Sequence, residues 1–249
     1  YTYTLDTDNT YVSALASGDT LSDVYTVTVS DGTNTTTDTL TFTVTGASTG
    51  YALKGPLSQA LVFADYNGDG ELTDGEPFTT TDTDGSYTLT ATSGLDADTV
   101  YDETDFNKSD YQVIVSMSDD TVDYTSGESY GSSGVTLKAS ASDGGVITPM
   151  TTLHEHSADH LTGDETFSAD ELAAALGLPD GVDILTYNTH DTTADGYDED
   201  TAHEVESIQQ HLMTATLLVT EAIQGAGTPS SGTAVSDTIA HEAALDGLI

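Results

Sequence analysis

The alternation of apolar and polar positions divides the chain into a strand-rich first part and a helix-rich second part. Across residues 1–46, YTYTL, VYTVTVS and LTFTVTG repeat with period two. That spacing puts Tyr25, Val27 and Val29, then Leu40, Phe42 and Val44, on an inward face and threonines on the other. SDGTN between the last two runs predicts a hairpin turn. About three strands are marginal as an independent β unit, so this piece is expected to pair with further strands or to pack on its neighbour. In GASTGYALKGP, residues 46–56, Gly, Ser and Pro interrupt the alternation and predict a boundary. Beyond it LVFA, Ser86 to Thr92, Tyr111 to Ser116 and VTLKAS read as strands, with an acidic run from Asp96 to Asp110 among them.

From Thr148 the punctuation becomes helical. Thr148 and Pro149 predict an N-cap and first helical position, and Ser168 with Glu171 a capping box on a helix ending at Gly177. Thr201 with Glu204 predicts a third helix, burying Val205, Ile208, Leu212, Thr216, Val219 and Ile223 and ending at Gly225. Met213 reads as core filler.

Between the strand LVFA and the strand-like PFTTT lies DYNGDGELTDGE, which meets every position of a twelve-residue calcium loop. Side-chain oxygens fall at positions 1 (Asp65), 3 (Asn67), 5 (Asp69) and 12 (Glu76), with Gly70 at the sharp turn. Glu71 offers its carbonyl at position 7 and Thr73 stands at 9. Strands on both sides, in place of helices, predict a calcium loop on a β scaffold. Asp82 and Asp84, in the following TDTDG turn, are candidates to return a further ligand to the same ion; the alternative is a solvated acidic turn. The expected fold class is therefore α+β: β-sandwich-like strands with calcium loops, followed by a helical C-terminal part. The expected division is 1–48 and 49–249, the latter β-rich over 52–147 and helical over 148–249.

Composition sharpens this picture. Forty-three acidic residues stand against three lysines and no arginine, a formal net charge of −40, so self-repulsion opposes compaction unless cations offset it. No basic patch can form, which excludes nucleic acid and anionic membranes as partners. Without cysteine there is no disulfide framework, and no apolar run is long enough for membrane insertion. Residue 1 enters a strand pattern directly, with no secretory signal, so a piece of a longer chain is expected. Calcium loops of weak affinity work where the ion is millimolar, which points to an extracellular, cell-surface setting.

Two other constellations carry less. HEHSADH brings together His154, His156 and His160, of which His156 and His160 are one helical turn apart, a spacing compatible with a transition metal. Its order is not HExxH, and a solvated polar helix face is the expected reading. SDDTVDYTSGESYGSSG, residues 118–134, combines Asp119, Asp120, Asp123, Tyr124 and Glu128. It reads either as a second calcium loop that holds a ligand carboxylate or as a flexible acidic loop. There is no GxSxG elbow and no cysteine nucleophile, and with so many carboxylates no acid pair stands out, so no enzyme is expected.

Residues 1–46, with TYTL, ALASGDTLSD, VSDG and a last alternating strand, resemble the C-terminal half of the VCBS-type, cadherin-like repeats of RTX adhesins. KGPLSQALVFADYNGDGELTDGEPFTTTDTDGSYTL looks like calcium-bearing segments of bacterial surface adhesins. VTLKASASDGGVITPMTTL and ELAAALGLPDGVDILTYN are similar to a module near the ligand-binding end of RTX adhesins. The resemblance implies a calcium-dependent domain that binds the free C-terminus of a peptide or protein on another cell, with flanking domains of the same adhesin as neighbours. The glycine-rich GGxGxDxUx repeat is absent and only half of a VCBS repeat is present. A calcium-rigidified spacer and a glycan- or ice-binding module are the alternatives.

Overall fold

The computed structural model describes residues 4, 9–13, 15, 20–90, 93–95, 111–130, 135–143, 145–160, 167–226 and 237–248. YTYTL at the start except Thr4, part of ALASGDTLSD and the acidic run 96–110 lie outside them. The fold is α+β, with strands grouped before helices.

After a helical turn α1 (Thr10–Ser13), strands β1 (Thr20–Ser30) and β2 (Thr35–Thr45) form an antiparallel hairpin in which Tyr25 faces Leu40 and Asp23 faces Phe42. Asp31 shapes its turn, accepting from the amides of Thr33 and Asn34. Leu21, Tyr25, Val27, Phe42 and Val44 share one face, as the alternation predicts. That face is uncovered among the described residues: Tyr25 is 49% and Val29 66% exposed. Among the described residues the hairpin pairs only with itself.

GASTGYA is not an interruption. Ala47–Ala52 is strand β3, which pairs antiparallel with β7 (Ser86–Thr90) from Ala47 onward and parallel with β11 (Val146–Ile147). A single residue, Gly46, separates β2 from β3. A second sheet runs in the order β10 (Thr136–Ser140), β8 (Gln112–Ser116), β5 (Leu61–Asp65), β6 (Phe78–Thr80), all antiparallel. A short pair, β4 (Leu57–Ser58) with β9 (Val122–Asp123), closes one edge. Val62, Val113, Val115 and Leu137 of the larger sheet share one core with Tyr87, Leu89 and Ile147 of the smaller. Two sheets packed on a common apolar layer make the arrangement sandwich-like.

The helices cover the β10 end. In α2 (Pro149–His160) the Thr148 hydroxyl accepts from the amides of Met150 and Thr151, so the predicted N-cap is in place. The Thr152 hydroxyl accepts from the Lys138 amide and fastens the helix to β10. The Ser168–Glu171 capping box opens α3 (Ala169–Ala175). The long α4 (Glu199–Ala226) begins earlier than predicted, because Asp198 is its cap: the Asp198 carboxylate accepts from both the amide and the hydroxyl of Thr201. Its buried stripe is Ala202, Val205, Gln209, Leu212, Thr216 and Thr220, while Val219 is 37% exposed. Met213 reaches into the β core and α5 (Asp237–Asp246) packs beside α4. No described helix is long and apolar enough to cross a membrane.

The meeting of β3 and β11 is tight enough to require glycine on both sides. A Cβ on Gly50 would overlap the carbonyl oxygen of Gly145, and Gly145 itself has φ +78°. Gly50→Ala should therefore lower stability by about 2 kcal/mol or more in denaturant unfolding. A loss no greater than that of Gly247→Ala, where the nearest atom stands 3.5 Å from the added carbon, would show that the contact does not matter.

Candidate functional site

The loop from Asp65 to Glu76 joins β5 to β6, so its ends are fixed by the pairing of Phe63 with Phe78 and of Leu61 with Thr80. Within it the first and last carboxylates turn inward and are only 4% exposed. Asp65 Oδ1 accepts from the amides of Gly68 (2.7 Å) and Asp69 (3.2 Å), and Oδ2 from Gly70 (2.9 Å). Glu76 Oε1 accepts from the Tyr66 amide at 2.9 Å and Oε2 from the Thr73 amide at 2.8 Å. Gly70 at φ +76° makes the bend, the backbone demand that places glycine at position 6. Asn67 donates to Asp69 and to the Thr73 hydroxyl, while Asp69 accepts from the Glu71 amide.

Two buried carboxylates and no ion pair to any described Lys or His leave this loop with excess negative charge. Its donors are all oxygen: Asp65, Asn67, Asp69 and Glu76 through side chains and Glu71 through its carbonyl. That set suits a hard divalent cation such as calcium, which would neutralise the carboxylates and stiffen the β5–β6 connection. The carboxylate oxygens of the loop do not all stand within 4.8 Å of one another. Asp84 is occupied in its own turn, accepting from the amide and the hydroxyl of Ser86 at 3.0 and 2.6 Å, and those contacts hold its pKa down.

The five residues of the second acidic segment separate in space. Asp123 is buried, forming an ion pair with Lys54 Nζ at 2.8 Å and accepting from the amides of Thr125 and Ser126. Burial pushes its pKa up, but Lys54 and those amides outweigh it and the net shift is downward. Lys54 also stands over the Tyr130 ring, 5.1 Å from its centroid. Asp123 therefore closes its own loop from within, whereas Asp119, Asp120, Tyr124 and Glu128 stand exposed around it. Residues 131–134 lie outside the described part.

The histidines of α2 do not form the expected solvated face. His156 is fully buried, with Nε2 2.9 Å from Asp246 and Nδ1 3.1 Å from Glu242, both on α5. His154 pairs with Glu155 at 3.4 Å; the side chain of His160 is outside the described part. Local spacing could not show this, because the two acids lie far along the chain on another helix.

One groove was not foreseen at all. A cavity of about 440 Å³ opens between β3, β7 and the turn segment at 186–191, lined by Tyr51, Asp82, Tyr87, Thr186, Asn188 and Asp191. It contains hydroxyls, carboxylates and two tyrosines but no Lys or His. Its walls come from four separate stretches of sequence, so no motif could mark it.

No protein-family model matches this chain, and neither a curated protein nor a solved structure does. Its function has to be read from its own residues.

Two outcomes test these joints. If the Asp65–Glu76 loop holds calcium, Asp65→Ala and Glu76→Ala should each bind one calcium fewer by calorimetry, and chelation should lower the melting temperature of the parent chain far more than a monovalent-salt control. Unchanged stoichiometry in both variants counts against the loop.

The His156 joint sets a pH window. Burial pulls the His156 pKa down, yet Glu242 and Asp246 outweigh it, so the net shift is upward from 6.5. The hydrogen bond from His156 pulls the Glu242 carboxyl down from 4.5 to about 2 against the effect of burial, with help from Lys138. The histidine contribution is complete below 6.5 and lost as pH rises through its raised value; that of Glu242 is complete above 4.5 and lost as pH falls towards 2. The stability difference between the parent chain and Glu242→Gln should therefore peak between pH 4.5 and 6.5 and shrink on either side. An equal difference at pH 5.5 and well above neutrality would show that the pair does not titrate as described.

Proposed function

We propose that this chain is a non-enzymatic, calcium-organised adhesion module of a large bacterial surface adhesin, exposed outside the cell, that captures a peptide or protein C-terminus on a neighbouring or host cell. The observation that carries the reading is the loop from Asp65 to Glu76, closed on two buried carboxylates that have no cationic partner among the described residues. The resemblance of residues 1–46 and of the segments from Leu53 to Asn188 to RTX adhesin modules supports it. The groove over Tyr51 and Tyr87 is the natural seat for a ligand. Because Asp82 and Asp191 line it and no Lys or His does, a free carboxylate would enter only with a bound cation between. Calcium as a bridge meets that requirement.

The same lining favours one second reading. Tyrosine rings with carboxylate and amide acceptors suit a neutral polyhydroxyl ligand, which needs no bridging cation. Free-acid and amidated versions of one peptide panel, titrated in calcium and in EDTA, separate the two. Under the first reading amidation should weaken binding at least tenfold, about 1.4 kcal/mol, and EDTA should abolish it. Binding of soluble oligosaccharides that is lost in Tyr51→Ala would support the second reading. No binding to either class would leave a calcium-stiffened spacer as the function.

A further inference from the structure

We propose that Asp143, His154 and Glu155 form a second cation site, distinct from the β5–β6 loop and built for a divalent transition metal, with zinc the first candidate. One ligand atom from each of the three lies within 4.8 Å of the others. Asp143 comes from the turn after β10, while His154 and Glu155 are on α2, so an ion there would tie the helix to the sheet. Asp143 Oδ2 is shut off from solvent and has no hydrogen-bond partner, and Glu155 is only 9% exposed. A buried acceptor without a donor is costly, and two carboxylates facing one imidazole leave the spot negative even when His154 is protonated. A dication removes both penalties.

The nitrogen donor sets the choice of metal. Calcium and magnesium take oxygen shells, whereas one imidazole with two carboxylates and room for water suits zinc and its first-row neighbours. The surroundings hold the donors in place. Gln112 Nε2 donates to Glu155 Oε2 at 3.3 Å, the kind of outer contact that orients a ligating carboxylate. The turn bearing Asp143 is fixed by the Asp143 amide, which donates to the Ser140 carbonyl at 3.0 Å, and by the Gly145 amide, which donates to the Asp143 carbonyl at 2.6 Å.

The test uses the untagged full chain, stripped with chelator and then saturated with calcium so that the β5–β6 loop is occupied. Zinc chloride titrated by calorimetry should give one equivalent bound and a higher melting temperature. Asp143→Asn and His154→Gln should each weaken zinc binding at least tenfold while Asp195→Asn, at an exposed turn position, leaves it unchanged, and Gln112→Ala should weaken it by roughly tenfold. Because a variant can lose its fold, imidazole nitrogen NMR of the parent chain gives an independent reading: His154 alone among the seven histidines should shift with zinc. Zinc that shifts several histidines equally, binding that ignores both substitutions, or no binding at all would overturn the site and leave His154 as a plain counter-ion to the two acids.

Discussion

Mutual repulsion among carboxylates is the constraint on which the rest of this structure depends. With forty-three acids and three lysines, the chain cannot neutralise itself by surface ion pairs, which are worth little in any case. The described cations are placed inside instead. Lys54 lies between Asp123 and the Tyr130 ring, Lys138 is 8% exposed on β10, and His156 is enclosed between Glu242 and Asp246. Lys54 with Asp123, and His156 with Glu242 and Asp246, each join segments far apart in sequence. Where a carboxylate pair is buried without such a partner, as at Asp65 and Glu76, backbone amides take the role and charge is left over for an ion.

Local features were legible from the residues. The hairpin turn at Asp31, the bend at Gly70, the N-cap at Thr148 and the capping box at Ser168 are all short-range bargains between a side chain and nearby amides, and each lies where its residues indicate. Even locally, one signal misled: Thr201 reads as a cap, yet it donates to Asp198, which caps the helix in its place. The stripe on α4 also rotates away from the predicted one, because Gln209 and Thr220 turn inward where Val219 does not. Amphipathic periodicity marks a face only to within part of a turn.

Long-range features were not legible. Gly50 looks like a breaker, since glycine interrupts most strands; in fact it sits mid-strand because a second backbone passes against it. His156 reads as exposed because its neighbours in sequence are polar, whereas its surroundings are supplied by α5. The groove around Tyr51 is assembled from β3, β7 and the 186–191 turns, and nothing in any one of them announces the others.

The parallel contact of β3 with β11 has a kinetic side. Tyr51 and Val146 pair across the whole intervening β segment, and closing so long a loop costs more entropy than closing the β5–β6 hairpin. The strand that supplies Val146 also leads straight into Thr148 and α2. Displacing β11 from the sheet therefore moves the start of the helical layer with it, and a chain emerging in order exposes apolar surface of the smaller sheet until β11 has followed.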